Sequence, residues 1–369
     1  MIQFTLNNIV IYNAMFLRHD KNNKTNDMID LIKKGIYKQR LKKYNEAEDI
    51  LHMALEIAIN NNDEKTITYI YDILANNSFE SKDFNKAEVL FKEVLKRISM
   101  MENNSHDTNA FVDVSLKLAD IYFYKGDYTK AETGYKFCIG QLTTILSKES
   151  LVVISNNTSS QDEILNHDTI QLLGMCYHHY SKFILEHYNS FDYTTKAIEY
   201  LLKSIEIANS VIQSHIDFSS YHNDKIDNLL YKTDYFNIDN KNVFNPLVYT
   251  LHNDLAYAYE KINNMDVAMH ELEYAISGIK DIRHIYSERL NQCIKSYEKQ
   301  RLSAFILEMD EHLVTFYINL GMIFLNKSMP LESEKKCSLA LKLATILKNG
   351  DLKHRSQHCL LLANPSFLA

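Results

Sequence analysis

The stretch 66–91, TITYIYDILANNSFESKDFNKAEVLF, is apolar at steps of three and four, breaks at Ser81-Lys82-Asp83, and then resumes the same steps. Such spacing gathers apolar side chains on one helix face. The stretch therefore predicts two amphipathic helices joined by a short polar turn. The first carries Tyr71, Leu74 and Ala75; the second carries Ala87, Phe91 and Val94. After the turn the order is small, large, small.

That order recurs along the chain. It appears as Gly35, then Ala47, Leu51 and Ala54, and again as Leu118, Ala119 and Tyr122, then Ala131, Tyr135 and Cys138. A fourth copy has Ile184, Leu185 and Tyr188, then Ala197 and Leu201. A fifth has Leu255, Ala256 and Tyr259, then Ala268, Leu272 and Ala275. A sixth has Leu320, Gly321 and Phe324, then Ser333, Cys337 and Ala340. Small residues let two antiparallel helices approach to ~8–10 Å. The large residue fills the gap to the next pair, and no pair can bury its apolar face alone. This is the tetratricopeptide signature. It predicts an all-α fold, an α-solenoid of about six helix–turn–helix pairs.

The array is expected over 28–364, behind a leader, 1–27, that is either disordered or targeting. Two Asn-, Asp- and Ser-rich insertions, 147–166 and 214–246, read as mobile loops. Residues 166–188 read as a long first helix, and 278–312 as one extended helix or two. The tail from Asp351 reads as a short closing helix.

Composition agrees with long helices, since only eight glycines and three prolines interrupt 369 residues. Net charge is −7 and no basic stripe occurs, which leaves a nucleic-acid partner without an electrostatic footprint. Five scattered cysteines (Cys138, Cys176, Cys293, Cys337, Cys359) read as buried thiols, neither a disulfide framework nor a zinc site. There is no phosphate loop, no HExxH and no nucleophile elbow. In "CYHH", Cys176 and His179 share a helix face and His178 does not, which is short of the four ligands of structural zinc. The chain is therefore expected to be no enzyme and to need no cofactor, metal or small-molecule substrate.

What remains is a protein-binding surface. Counting from the repeat, the inward positions of copies two and three are Tyr69, Asp72, Asn76 and Phe79, and Asp113, Leu116, Asp120 and Phe123. Three carboxylates, an amide and aromatic rings suit a basic or amide-rich extended segment. An acidic C-terminal tail, as co-chaperone arrays hold, would meet those carboxylates instead.

The blocks "TITYIYDILAN" (66–76), "SLKLADIYF…AETGYKFCI" (115–139) and "LLGMCYHHYSKFIL" (172–185) resemble the tetratricopeptide repeat protein 19 family, mitochondrial accessory factors of respiratory complex III. They include pairs the generic repeat does not require, such as Thr68-Tyr69, Phe137-Cys138 and Met175-Cys176. The resemblance implies a non-enzymatic protein at the mitochondrial inner membrane. Its implied partners are complex III and fragments of the Rieske iron–sulfur subunit, whose turnover it aids. The leader, with one Arg and few Ser, is a poor targeting segment by composition. The alternative is a cytosolic adaptor of the kinesin light-chain kind.

Overall fold

The computed structural model describes residues 23–100, 107–153, 160–221, 246–294 and 296–364. These fold into helices, with short turns between the two members of a pair. The first pairs are α1 (Asn23–Arg40) with α2 (Tyr44–Asn60), α3 (Glu64–Glu80) with α4 (Phe84–Met100), and α5 (Asp107–Tyr124) with α6 (Tyr128–Val153). Then come α7 (Ser160–His187) and α8 (Phe191–Tyr221), followed by the pairs α9 (Pro246–Lys261) with α10 (Met265–Gln292) and α11 (Ser296–Asn326) with α12 (Pro330–Ile346). The closing helix is α13 (Gly350–Ala363). The chain divides into two compact units, Met1–Phe183 with Ser214–Asn242, and Ile184–Gln213 with Val243–Ala369.

The small-large-small positions lie inside, as the sequence predicts. Ala47, Ala87, Ala131, Ala197, Ala268 and Ser333 are each 0% exposed. Within the first unit, Leu51 and Ala54 join Met28, Ile32, Ile70 and Ile73 in one core; Phe91 and Val94 join Val114 and Ile121 in the next. Within the second unit, Leu272 and Ala275 share a core with Phe316, Leu320 and Ala340. Burying each large side chain contributes about 1.5–3 kcal/mol.

The turns repeat one device. A left-handed residue follows one helix, and the next residue opens the helix after it. Lys42, Asn62, Lys82, Gly126, Asn263, Ser328 and Lys348 all have positive φ. At Lys82 the chain closes with Lys82 N–H donating to the Phe79 carbonyl at 3.0 Å and Asp83 N–H to the Ser78 carbonyl at 2.9 Å, a helix C-terminal motif that satisfies orphan carbonyls. Asp83 then accepts from Lys86 N–H at 3.1 Å, and Asp63 likewise from Thr66 N–H at 3.1 Å, capping the second helix of one pair and the first of the same pair.

Two expectations change. Where the sequence suggested loops, α6 continues to Val153, α7 begins at Ser160, and α8 reaches Tyr221. No glycine or proline interrupts these stretches, so a helix held by its packed half propagates outward. The expected insertion residues 154–159 and 222–245, and leader residues 1–22, lie outside the described residues. The 278–312 segment is two helices that part at Cys293, whose ψ of 131° is extended. Beside that break, Tyr286 and Phe305 pack with ring centroids 4.1 Å apart, and Arg283 pairs with Asp310.

The cysteines are the second change. Cys138 and Cys176 are buried thiols, but Cys293 is half-exposed, and Cys337 and Cys359 form a disulfide. The sequence pattern gave no warning, because the partners lie on different helices, 22 residues apart.

Candidate functional site

In the first unit, α3, α5 and α7 are the first helices of successive pairs. The eight inward positions read from the sequence sit on α3 and α5, and six of them are buried: Tyr69, Asp72, Asn76, Asp113, Leu116 and Asp120. Phe79 and Phe123 are half-buried. Tyr69 and Leu116 are absorbed by packing. The carboxylates are held by partners from the same unit.

Lys117 organises the first of these contacts. Its ammonium lies 3.3 Å from Asp72 Oδ1 on α3 and 3.0 Å from Asp113 Oδ2 one turn back on α5. Burial disfavours the ammonium's charge, yet Asp113 and Asp72 outweigh that cost and hold Lys117 above its usual value. Burial pushes the Asp113 carboxyl up; Lys117 opposes the rise and nearby Asp72 adds to it. One cation is thus shared by two carboxylates.

Asp120 organises the second contact. The Tyr135 hydroxyl of α6 donates to its Oδ1 at 2.7 Å, and His179 Nδ1 of α7 donates to its Oδ2 at 2.7 Å. Farther along the same pair of helices, Asn109 Nδ2 donates to Thr169 Oγ1 at 2.9 Å. Together these bonds tie α3 to α5 and α5 to α7 across residues far apart in sequence.

Asn76 differs from its neighbours. Its Nδ2 donates to the Asp72 carbonyl at 2.7 Å, while its buried Oδ1 has no hydrogen-bond partner among the described residues. Such an acceptor is costly unless something donates to it. At the far end of the same helices the rings gather. Phe79 meets Phe84 edge-on at 5.7 Å and Tyr124 at 6.0 Å, and Phe123 meets Phe183 edge-on at 5.6 Å. Phe84 and Tyr124 stack at 5.1 Å.

Sequence reasoning named the carboxylates but missed their partners. Asp113 and Lys117 are four apart on one helix, a spacing that signals a pair; that contact was legible. The crossings to Asp72 and from Asp120 to His179 were not. In "CYHH", Cys176 faces the Cys138 thiol, and burial pushes its own thiol up. His178 is buried. Among the described residues no group of three or more metal-ligating side chains converges.

The aligned relatives carry one name. A Drosophila melanogaster protein called tetratricopeptide repeat protein 19 homolog, mitochondrial, is 22% identical over 336 residues, covering 90% of this chain and 70% of that protein. Tetratricopeptide repeat protein 19, mitochondrial, of Homo sapiens is 33% identical over 159 residues, 43% of this chain.

The chain is similar to tetratricopeptide repeat protein 19.

The matched region spans only 40% of the human protein and 36% of the Rattus norvegicus one, which is 34% identical. No protein-family model matches the chain. Among solved structures, BtubC from P. vanneervenii overlays with a TM-score of 0.47 at 12% identity, covering 89% of this chain and 94% of that one. A thermophilic tetratricopeptide protein of Thermus thermophilus overlays at 0.41 and 13% identity, covering 80% and 99%.

Proposed function

We propose that this chain is a non-enzymatic mitochondrial protein that binds respiratory complex III at the inner membrane. It supports assembly and maintenance of that complex by aiding turnover of Rieske iron–sulfur subunit fragments. The observation that carries this reading is the similarity to tetratricopeptide repeat protein 19 across 90% of the chain. A repeat fold whose stacked helices present extended binding surfaces supports it.

The receiving face proposed is that of α3 and α5, with its residues divided by task. Tyr69, Asp72, Asp113, Leu116 and Asp120 set the spacing of the helices. The half-buried rings of Phe79 and Phe123 meet the partner. An unfolded protein fragment offers loose apolar side chains, which suit a cluster of such rings. Association with the inner membrane is proposed to run through complex III. No helix among the described residues is long and apolar enough to cross a membrane.

Affinity capture with the full-length chain from mitochondrial extract tests the reading. Complex III subunits and Rieske fragments are the expected catch; a catch of cytosolic proteins alone overturns it in favour of a cytosolic adaptor. Replacing both Phe79 and Phe123 by Ala should lower capture while far-UV circular dichroism stays helical. Undiminished capture would move the contact off this face.

A further inference from the structure

The sixth copy departs from the repeat at its large position. Four residues after the first small residue of the second helix, copies one to three carry Leu51, Phe91 and Tyr135, all large and buried. Copy six carries Cys337 there. Its sulfur is bonded to that of Cys359 on α13, with Cα atoms 5.6 Å apart. Ser333 Oγ lies 3.7 Å from the Cys337 sulfur.

A glycine of a third helix completes the cluster. A Cβ on Gly321 of α11 would stand 2.7 Å from the Cys337 sulfur and 3.0 Å from that of Cys359. The bonded sulfurs thus occupy space that α11 leaves open for them. They fill the volume one large side chain fills in other copies, and they tie α13 covalently to α12.

The closing helix has reason to need the tie. It is 14 residues long and buries only Leu352, Ser356, Cys359, Leu360 and Ala363. A helix of about that length is marginal by itself in water.

We propose that the Cys337–Cys359 bond is a lock on the closing helix, made as α13 docks and sealed afterwards, so that the second unit is completed only where thiols are oxidised. The chemistry is thiol–disulfide exchange with a disulfide co-reactant, oxidised glutathione being the simplest. One cysteine thiolate attacks a sulfur of the co-reactant, forming a mixed disulfide and expelling one thiol. The second cysteine displaces the other. The Sγ–Sγ bond forms, the co-reactant's S–S bond breaks, and the two protons and two electrons end on two glutathione thiols. In the folded chain Cys337 is 0% and Cys359 1% exposed, so exchange in either direction requires α13 to leave. The bond therefore behaves as a folding-coupled lock rather than a freely toggled switch. Joined to the mitochondrial reading, on which this clause rests, the lock puts the working protein on a thiol-oxidising side of its membrane.

The test uses full-length protein whose thiols are blocked with N-ethylmaleimide at lysis and then digested with trypsin without reductant. Peptide 337–342 should appear linked to peptide 356–369. Dithiothreitol should cut the bond slowly in native protein and far faster in urea. Once reduced, α13 amides should exchange hydrogen faster by on the order of a hundredfold, the scale set by closing a loop of about this length. Cys359→Ser should show the same fast exchange with no reductant. Should that variant not fold, reduced wild type supplies the same measurement. Finding both cysteines alkylated in the isolate, or α13 exchange unchanged on reduction, overturns the proposal. A linked peptide from a protein that captures no complex III leaves the lock standing and removes only the functional reading.

Discussion

In the first unit Lys117 of α5 sits buried between Asp72 of α3 and Asp113 of its own helix, whereas in the second unit the crossing from α9 to α11 is made by amides. There Asn319 Nδ2 donates to Asn253 Oδ1 at 2.8 Å, and Asn326 Nδ2 to Glu260 at 2.7 Å. Both units stack the same helical pair by the same small-residue contacts, yet they join neighbouring first helices by different chemistry. A buried ion set costs several kcal/mol per ion to desolvate and is stable only while every member is present. Half-buried and exposed amides cost less and hold less. The repeat geometry fixes how far apart first helices lie, and leaves open what bonds them.

The comparison breaks most visibly at Lys117. Lys117→Met leaves two carboxylates buried without their cation and should cost about 3–5 kcal/mol in urea unfolding. A loss below about 1 kcal/mol would show that the set is not shielded from water.

A pH series adds a second test, because burial raises a buried acid and lowers a buried base, one of each being found in the two units. Burial raises Asp168 to about 6 in the first unit. The folded state then binds the extra proton, so stability falls as pH rises from about 4 to 6. In the second unit burial lowers His312 to about 4, against an opposing pull from Asp254. The unfolded state binds the extra proton here, so stability rises over about 4 to 6.5. Each slope is worth about 3 kcal/mol at most. Asp168→Asn should remove the falling component of thermal melts and His312→Gln the rising one; if both variants keep the parent profile, neither group is buried as described.

Close packing is common to both units and should be tested in both. Ala87→Leu and Ala268→Leu should each cost about 1–3 kcal/mol by overpacking between paired helices, and unaltered melting temperatures would place those positions off the contact. The amide crossing is weaker. Asn319→Ala should cost about 1 kcal/mol, far less than the Lys117 variant, as judged by the same urea titration. Smallest of all, Lys82→Gly relieves a left-handed turn residue and should stabilise by about 0.5–1 kcal/mol. A destabilised variant would mean the Lys82 side chain makes a contact worth more than the backbone relief.

Much of the fold was legible before any coordinates. The turn spacing that placed Ala47, Ala87, Ala131, Ala197, Ala268 and Ser333 on equivalent positions needs only local periodicity, and all six are buried. The candidate site was legible in part. Counting along the repeat found Asp72, Asp113 and Asp120 but took them as open to a partner. Their counter-groups come from elsewhere: Lys117 lies 45 residues beyond Asp72, and His179 lies 59 beyond Asp120. No local pattern links such pairs.

The amino-acid sequence alone determined the helical pairs, their turns and their number, because each follows from which side chains recur within a few residues. Only the tertiary structure decided that Lys117 serves two carboxylates, that Asn76 buries its side-chain acceptor, and that Cys337 meets Cys359 over Gly321. Those outcomes depend on which helices become neighbours, and electrostatic pairing and disulfide bonding act over a few ångströms of space, whatever the distance along the chain.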